Sequence, residues 1–151
     1  MQARMSHPAF VVPGAMEALQ ALGRVVRKAG GSSLPVDLVH LRASHNGCNV
    51  CVDMHSRDLK KAGDSDERLF AVAAWREAPY FTDAERAALA LAEPVTLLSD
   101  RTDPVPDQIW AEAARHYDEQ ALAARIISIA TVNAGNRLNA STRQVAGEWI
   151  S

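Results

Sequence analysis

A chain of 151 residues, 48% hydrophobic and 23% charged, has the make-up of one soluble globular domain with a single core. Its formal net charge is -2 with both signs interspersed, so no nucleic-acid partner is expected. No stretch approaches the roughly 20 apolar residues that span a bilayer, and Met1 to Phe10 lacks a leader pattern, so no membrane association and a cytoplasmic location are expected.

Met1 to Pro13 carries two prolines and no apolar period, and is expected as an arm. A first helix spans Gly14 to Gly30, where Met16, Leu19, Leu22, Val26 and Ala29 recur at three- and four-residue steps; Gly30-Gly31-Ser32-Ser33 stops it. Pro35 suits the first turn of a second helix continuing through Val36 to Ser44, with Leu34, Leu38 and Leu41 as its apolar stripe. His45-Asn46-Gly47 reads as a tight connection with Gly47 at positive φ. A third helix runs from about Cys48 to Ala62 and ends at Gly63.

Asp64-Ser65-Asp66-Glu67 is an N-cap cluster for a helix from Glu67 to about Trp75, with Leu69, Phe70, Val72, Ala73 and Trp75 as core candidates. Thr82-Asp83-Ala84-Glu85 is a capping box opening a helix through Leu97 or Leu98. Pro94 lies inside that span; it removes a backbone hydrogen bond at a cost of about 3 kcal/mol, which predicts a kink or an early stop. Ser99 to Pro106 is a loop, and Asp107 to Tyr117 and Glu119 to Leu138 are the last two helices. Ala121 to Ala134 is apolar almost all round, interrupted by Arg125, Ser128 and Thr131, so it is central to the core or buried between subunits. The tail from Asn139 has no strong pattern. No β-alternation appears, and the expectation is an all-α single domain of six or seven helices.

The two cysteines of the chain, Cys48 and Cys51, fall in one short stretch, and His55 follows the second by one helical turn. At about 100° per residue, Cys48, Cys51 and His55 occupy roughly a 60° sector of one helix face, opposite Asp53, Arg57, Lys60 and Lys61. Thiols in the cytoplasm are kept mostly reduced, so a C-x-x-C there points to redox chemistry or metal binding rather than a staple. The thiolate is the attacking species, and an unperturbed cysteine at pKa about 8.5 supplies only a small fraction of it at neutral pH. A helix N-terminus raises that fraction, His55 is spaced to act on Cys51 as a base, and a second thiol can trap an oxidised first one as a disulfide. Such a dithiol reduces a hydroperoxide or exchanges with another disulfide, and then needs an external reductant.

Two other readings stand beside this one. Cys48, Cys51 and His55 supply three zinc ligands, but a closed structural site wants four and no second ligand pair is present. Alternatively the cysteines are two small buried hydrophobes and His55 a core histidine. Asp37 is expected as a surface carboxylate on spacing alone, His40 and His45 as solvent-facing, and His7 and His116 show no partners. Trp75, Trp110 and Trp149 read as core or interface anchors. No glycine-rich phosphate loop is present, and no cofactor is expected.

The run Leu38-Val39-His40-Leu41-Arg42-Ala43-Ser44, followed by Asn46-Gly47-Cys48-Asn49-Val50-Cys51-Val52-Asp53-Met54-His55, resembles the AhpD-like alkylhydroperoxidase core of the carboxymuconolactone decarboxylase superfamily. The similarity continues through Lys60-Lys61-Ala62-Gly63, Glu67-Arg68-Leu69, Ala74-Trp75-Arg76-Glu77 and Phe81-Thr82-Asp83-Ala84-Glu85-Arg86, and returns from Ile129 to Ala134 and at Asn136-Arg137-Leu138-Asn139. The resemblance implies an AhpD-like helical fold with its redox core over about residues 34–98, and a homo-oligomer, as trimer or hexamer. It implies a dithiol peroxidase in which Cys51 matches the peroxide-attacking cysteine, Cys48 the resolving one and His55 the histidine of a proton relay, with Asp37 nearest to the relay's carboxylate. Its substrates would be hydroperoxides and its electrons would come from a lipoyl-bearing protein or another thiol donor. A disulfide reductase or redox-sensing module with little peroxidase turnover is the alternative. The segment Arg42 to Gly47 is one residue shorter than the usual run, Val50 replaces a histidine found between the cysteines of well-known members, and Pro94 and Gly135 depart from the pattern in the helices.

Overall fold

A computed structural model describes residues 2–30, 36–99 and 102–148. Among them the chain forms eight α-helices and one 3-10 turn, with no strand: α1 (Pro8–Val11), α2 (Ala15–Gly30), α3 (Val36–Ser44), α4 (Asn49–Lys61), α5 (Asp66–Ala71), the turn Val72–Ala74, α6 (Asp83–Thr96), α7 (Asp107–His116) and α8 (Glu119–Thr142). The all-α expectation holds, with one helix more than the upper count. The addition is α1, which starts at Pro8 with the His7 ring accepting the Ala9 N–H at 3.2 Å. The arm is docked by the far end of the chain: Arg4 N–H donates to Thr142 O at 2.8 Å and Gln144 Nε2 to Met5 O at 2.9 Å.

Local chemistry sets the boundaries. Ser65 caps α5, Thr82 and Glu85 form the reciprocal capping box of α6, and Asp118 accepts the Ala121 N–H at the start of α8. Pro94 brings α6 to an end two residues later, at Thr96. The fourth predicted helix is shorter than expected: α5 stops at Ala71 and tightens into the 3-10 turn, so Val72 and Trp75 are buried while Phe70 is 81% exposed and Ala73 also faces solvent. The last helix is longer than expected, running past Leu138 to Thr142 before Arg143 closes it in the left-handed conformation at φ 54°. Pro35, Leu34 and Trp149 lie outside the described residues.

The core gathers around α3. Val39 joins one apolar cluster with Leu91, Tyr117, Leu122 and Ile129; Leu38 and Leu41 join a second with Leu59, Val72, Trp75 and Leu89. α8 is central, packing on α2, α3, α4 and α6, which answers for its apolar faces. Two half-buried carboxylates tie the periphery down. Glu93 accepts from Arg42 Nε at 3.0 Å, Trp75 Nε1 at 2.8 Å and both Arg76 terminal nitrogens; Glu85 takes Arg68 at 2.6 Å. No helix among the described residues is long and apolar enough to cross a membrane.

Candidate thiol site between α4 and α8

The site begins where α3 turns into α4. Ser44 O accepts the N–H of Gly47 at 3.2 Å and of Cys48 at 3.0 Å, and Gly47 takes φ +119°, a conformation that favours glycine. This turn leaves Cys48 as the N-cap of α4, with its Sγ 3.2 Å from the Cys51 N–H that donates to it. Sulfur thus fills the capping role usually given to a hydroxyl or carboxylate oxygen. The Cα atoms of Cys48 and Cys51 are 5.3 Å apart and the two sulfurs are joined as a disulfide. Each cysteine is 2% exposed.

Helix α8 supplies the rest of the surroundings. Asn139 Nδ2 donates to Cys51 Sγ at 3.3 Å, while its Oδ1 is buried without a hydrogen-bond partner. Further along the same helix, Asn136 Oδ1 accepts from Ser44 Oγ at 3.0 Å, Asn136 Nδ2 reaches Asn133 Oδ1 at 3.3 Å, and Asn133 Nδ2 donates to Thr96 Oγ1 at 3.0 Å. This buried amide ladder ties the turn before Cys48 to α8 and to the end of α6. A cleft of about 250 Å³ opens over Cys48, bordered by Asn46, Gly47, Asn133, Asn136 and Arg137; Cys51 is not among its walls. Through Asn133 and Arg137 it adjoins a larger, mainly apolar cavity of about 720 Å³ beside Val95, Leu98, Trp110 and Ile126.

His55 lies one turn beyond Cys51 on α4 and is 6% exposed, with Nδ1 buried and without a hydrogen-bond partner. Burial lowers its pKa; Asp37 and Asp58 pull the other way and do not offset it. The ring meets His40 edge to face at a centroid distance of 4.9 Å. His40 does not face solvent as expected: it is partly buried, with Nε2 2.7 Å from Ser128 Oγ. Burial first, and the neighbouring His55 second, hold its pKa at about 3. Asp37 is paired with Arg27 at 2.9 Å, and a carboxylate oxygen of it lies within 4.8 Å of ring nitrogens of both histidines. His45 is exposed, His116 pairs with Glu112 at 3.2 Å, and His7 is buried as the cap of α1.

The structure therefore brings Cys48 and Cys51 into a bond and sets Asp37 beside His55. It also adds contacts that the sequence did not point to: Asn139 on Cys51, Asn136 and Asn133 behind the Cys48 turn, and His40 with Ser128 against His55. The polar residues of α8 recur at positions 128, 133, 136 and 139, a helical spacing within an otherwise apolar segment; that was the available signal. In the disulfide state neither sulfur is a thiolate ligand, so the Cys48, Cys51 and His55 zinc arrangement is not the one formed here.

Comparison with known proteins matches residues 13–94 to the model of the carboxymuconolactone decarboxylase family. The chain is 29% identical to the uncharacterised protein YdfG of Bacillus subtilis over 85% of this chain and 87% of that one. It is 35% identical to the uncharacterised protein YnjA of Escherichia coli over 62% of this chain, spanning half of that relative. A solved protein of unknown function from Agrobacterium tumefaciens, suggested to be the antioxidant defence protein AhpD, superposes with a TM-score of 0.87 at 30% identity over 96% of this chain and 98% of that one. The debrominase Bmp8 shares the fold at a TM-score of 0.73 and 22% identity, over 90% of this chain and 73% of that one.

Proposed function

The chain belongs to the carboxymuconolactone decarboxylase family, and on that premise we propose that it is a thiol-dependent hydroperoxidase cycling through the Cys48–Cys51 disulfide. The observation that carries the reading is the placement of both sulfurs at the N-terminus of α4, one of them capping it and the other held by Asn139, with His55 one turn below.

In the reduced protein the Cys51 thiolate attacks the terminal peroxide oxygen. The O–O bond breaks, the sulfur becomes a sulfenic acid and the alkoxide leaves as an alcohol after taking a proton. Cys48 then gives up its thiol proton and displaces hydroxide from the sulfenic sulfur, and the hydroxide takes a proton in turn, leaving the disulfide and water. His55 serves as the base that receives the Cys51 proton and returns one to the departing oxygen, with Asp37 beside it as the relay carboxylate. A dithiol donor closes the cycle by exchange, reducing the disulfide while itself becoming oxidised. Cys48 is the sulfur that borders the cleft, so the donor, a lipoyl-bearing protein or another dithiol, attacks there and Cys51 departs as the thiolate that Asn139 stabilises. Assembly as a trimer or hexamer and a cytoplasmic location complete the proposal.

The same feature favours one alternative. An N-cap sulfur that borders the cleft, with a partner three residues on that lies outside it, suits thiol–disulfide exchange with a protein disulfide as well as with a donor. Consumption of an organic hydroperoxide by the reduced protein, with dihydrolipoamide as donor, separates the two. Turnover abolished in Cys51→Ser supports the peroxidase. Rapid disulfide exchange with negligible peroxide loss selects the reductase, and inertness of both thiols to oxidation sinks both.

A further inference from the structure

Below the disulfide, α3 and α4 bring together three donors from separate turns. Asp37 and His40 lie one turn apart on α3 and His55 faces them from α4, so that a carboxylate oxygen and two imidazole nitrogens lie within 4.8 Å of one another. We propose that Asp37, His40 and His55 form a binding site for a divalent transition-metal ion of the zinc class, made of nitrogen and oxygen donors and independent of the thiols.

Two imidazoles and a carboxylate are a donor set that zinc accepts with water in the fourth position. His55 gives an independent reason. It is 94% buried on its 6% exposure, and its Nδ1 has no hydrogen-bond partner, a costly condition for a buried polar atom that a bound ion relieves. His40 has the outer-shell partner that metal-ligating histidines usually have: Nε2 bonds Ser128 Oγ at 2.7 Å, and the other ring nitrogen would be the one to take the ion. Asp37 is held from outside by Arg27, at 2.9 Å to Oδ1 and 3.5 Å to Oδ2. An ionised carboxylate offers about four lone-pair sites, so the guanidinium and an ion can share it. Arg27 also places a positive charge near the site, which lowers affinity and favours ions that bind imidazole strongly over calcium or magnesium. Tetrahedral zinc, with bonds of about 2.0–2.2 Å, needs donors about 3.3–3.5 Å apart, so the three donors, now within 4.8 Å of one another, draw together as the ion binds.

The ion would take the lone pair of His55. On the peroxidase reading above, it therefore withdraws the base from Cys51 and suppresses turnover; the binding itself does not rest on that reading. The test uses the disulfide form, in which the sulfurs cannot ligate. After chelator treatment, the protein is titrated with zinc by calorimetry and with cobalt by visible spectroscopy. One ion per chain is expected, with cobalt bands of nitrogen and oxygen ligation and no sulfur-to-metal charge transfer. His40→Ala and the near-isosteric Asp37→Asn should each weaken binding by about tenfold or more, while Cys48→Ser with Cys51→Ser should bind as the parent does. Absence of stoichiometric binding by the parent overturns the proposal, and so does unchanged affinity in Asp37→Asn, or loss of binding in the double cysteine variant. Zinc binding by a protein whose reduced, metal-free form shows no peroxide turnover would leave this site standing and remove the peroxidase reading alone.

Discussion

Asn139 and Cys51, 88 positions apart in the chain, meet with the amide nitrogen 3.3 Å from the sulfur. In the reduced protein that donor favours the thiolate over the thiol. Asn139→Leu is therefore expected to raise the Cys51 pKa and slow its alkylation several-fold, read from the ultraviolet thiolate absorbance across a pH series. The cost in stability should stay within about 1 kcal/mol, because the substitution also removes the buried, unpartnered Oδ1. An unchanged thiol titration would show that the contact has no electrostatic consequence.

The two thiols should differ in reach. Cys48 borders the cleft and Cys51 does not. In single-cysteine variants, Cys48 left by Cys51→Ser is expected to react several-fold faster with a bulky maleimide than Cys51 left by Cys48→Ser. Equal rates would place the entry route elsewhere.

Gly47 takes φ +119°, and a Cβ built there meets nothing within 4 Å. Gly47→Ala should therefore cost backbone strain without a clash, about 2 kcal/mol in urea unfolding. A neutral result would mean that the turn before Cys48 relaxes without penalty.

Glu93 joins Arg42, Trp75 and Arg76. Burial pushes its pKa up, but the hydrogen bonds from Arg76 and Trp75 and the charges of Arg42 and Arg76 prevail, and the net shift is downward. A carboxylate depressed in the folded state stabilises fully above its unfolded pKa and loses that contribution as pH falls through the folded one. Glu93→Gln should therefore be less stable by about 2 kcal/mol at neutral pH, with the two unfolding curves converging below about pH 4. A gap that persists in acid would assign the loss to packing.

Leu89 is fully buried in the cluster with Leu38, Leu41 and Trp75, whereas Phe70 is 81% exposed. Leu89→Ala is expected to cost about 2–5 kcal/mol and Phe70→Ala no more than about 0.5 kcal/mol, by the same unfolding measurement. Comparable losses would mean that Phe70 is covered in solution, as by another copy of the chain.

Much of the molecule was legible in the sequence because its signals are local. The capping box at Thr82, the positive φ of Gly47, the short run of α6 beyond Pro94 and the thiol-bearing turn depend on residues within one or two helical turns, and periodicity reports those directly. Phe70 was misread because apolar character alone does not choose a face: on α5 it points to solvent, while Val72 and Trp75, in and after the 3-10 turn, are buried. The length of α8 was underread because its last turn is polar; the reason for that polarity, Asn139 against a sulfur on α4, is a contact across the fold. The same holds for His40, which no spacing aims at His55. Sequence determined that this chain is helical and where its dithiol sits. Tertiary packing of α3 and α8 on α4 decided which side chains surround that dithiol, since helix–helix contacts are set by packing that no local periodicity encodes.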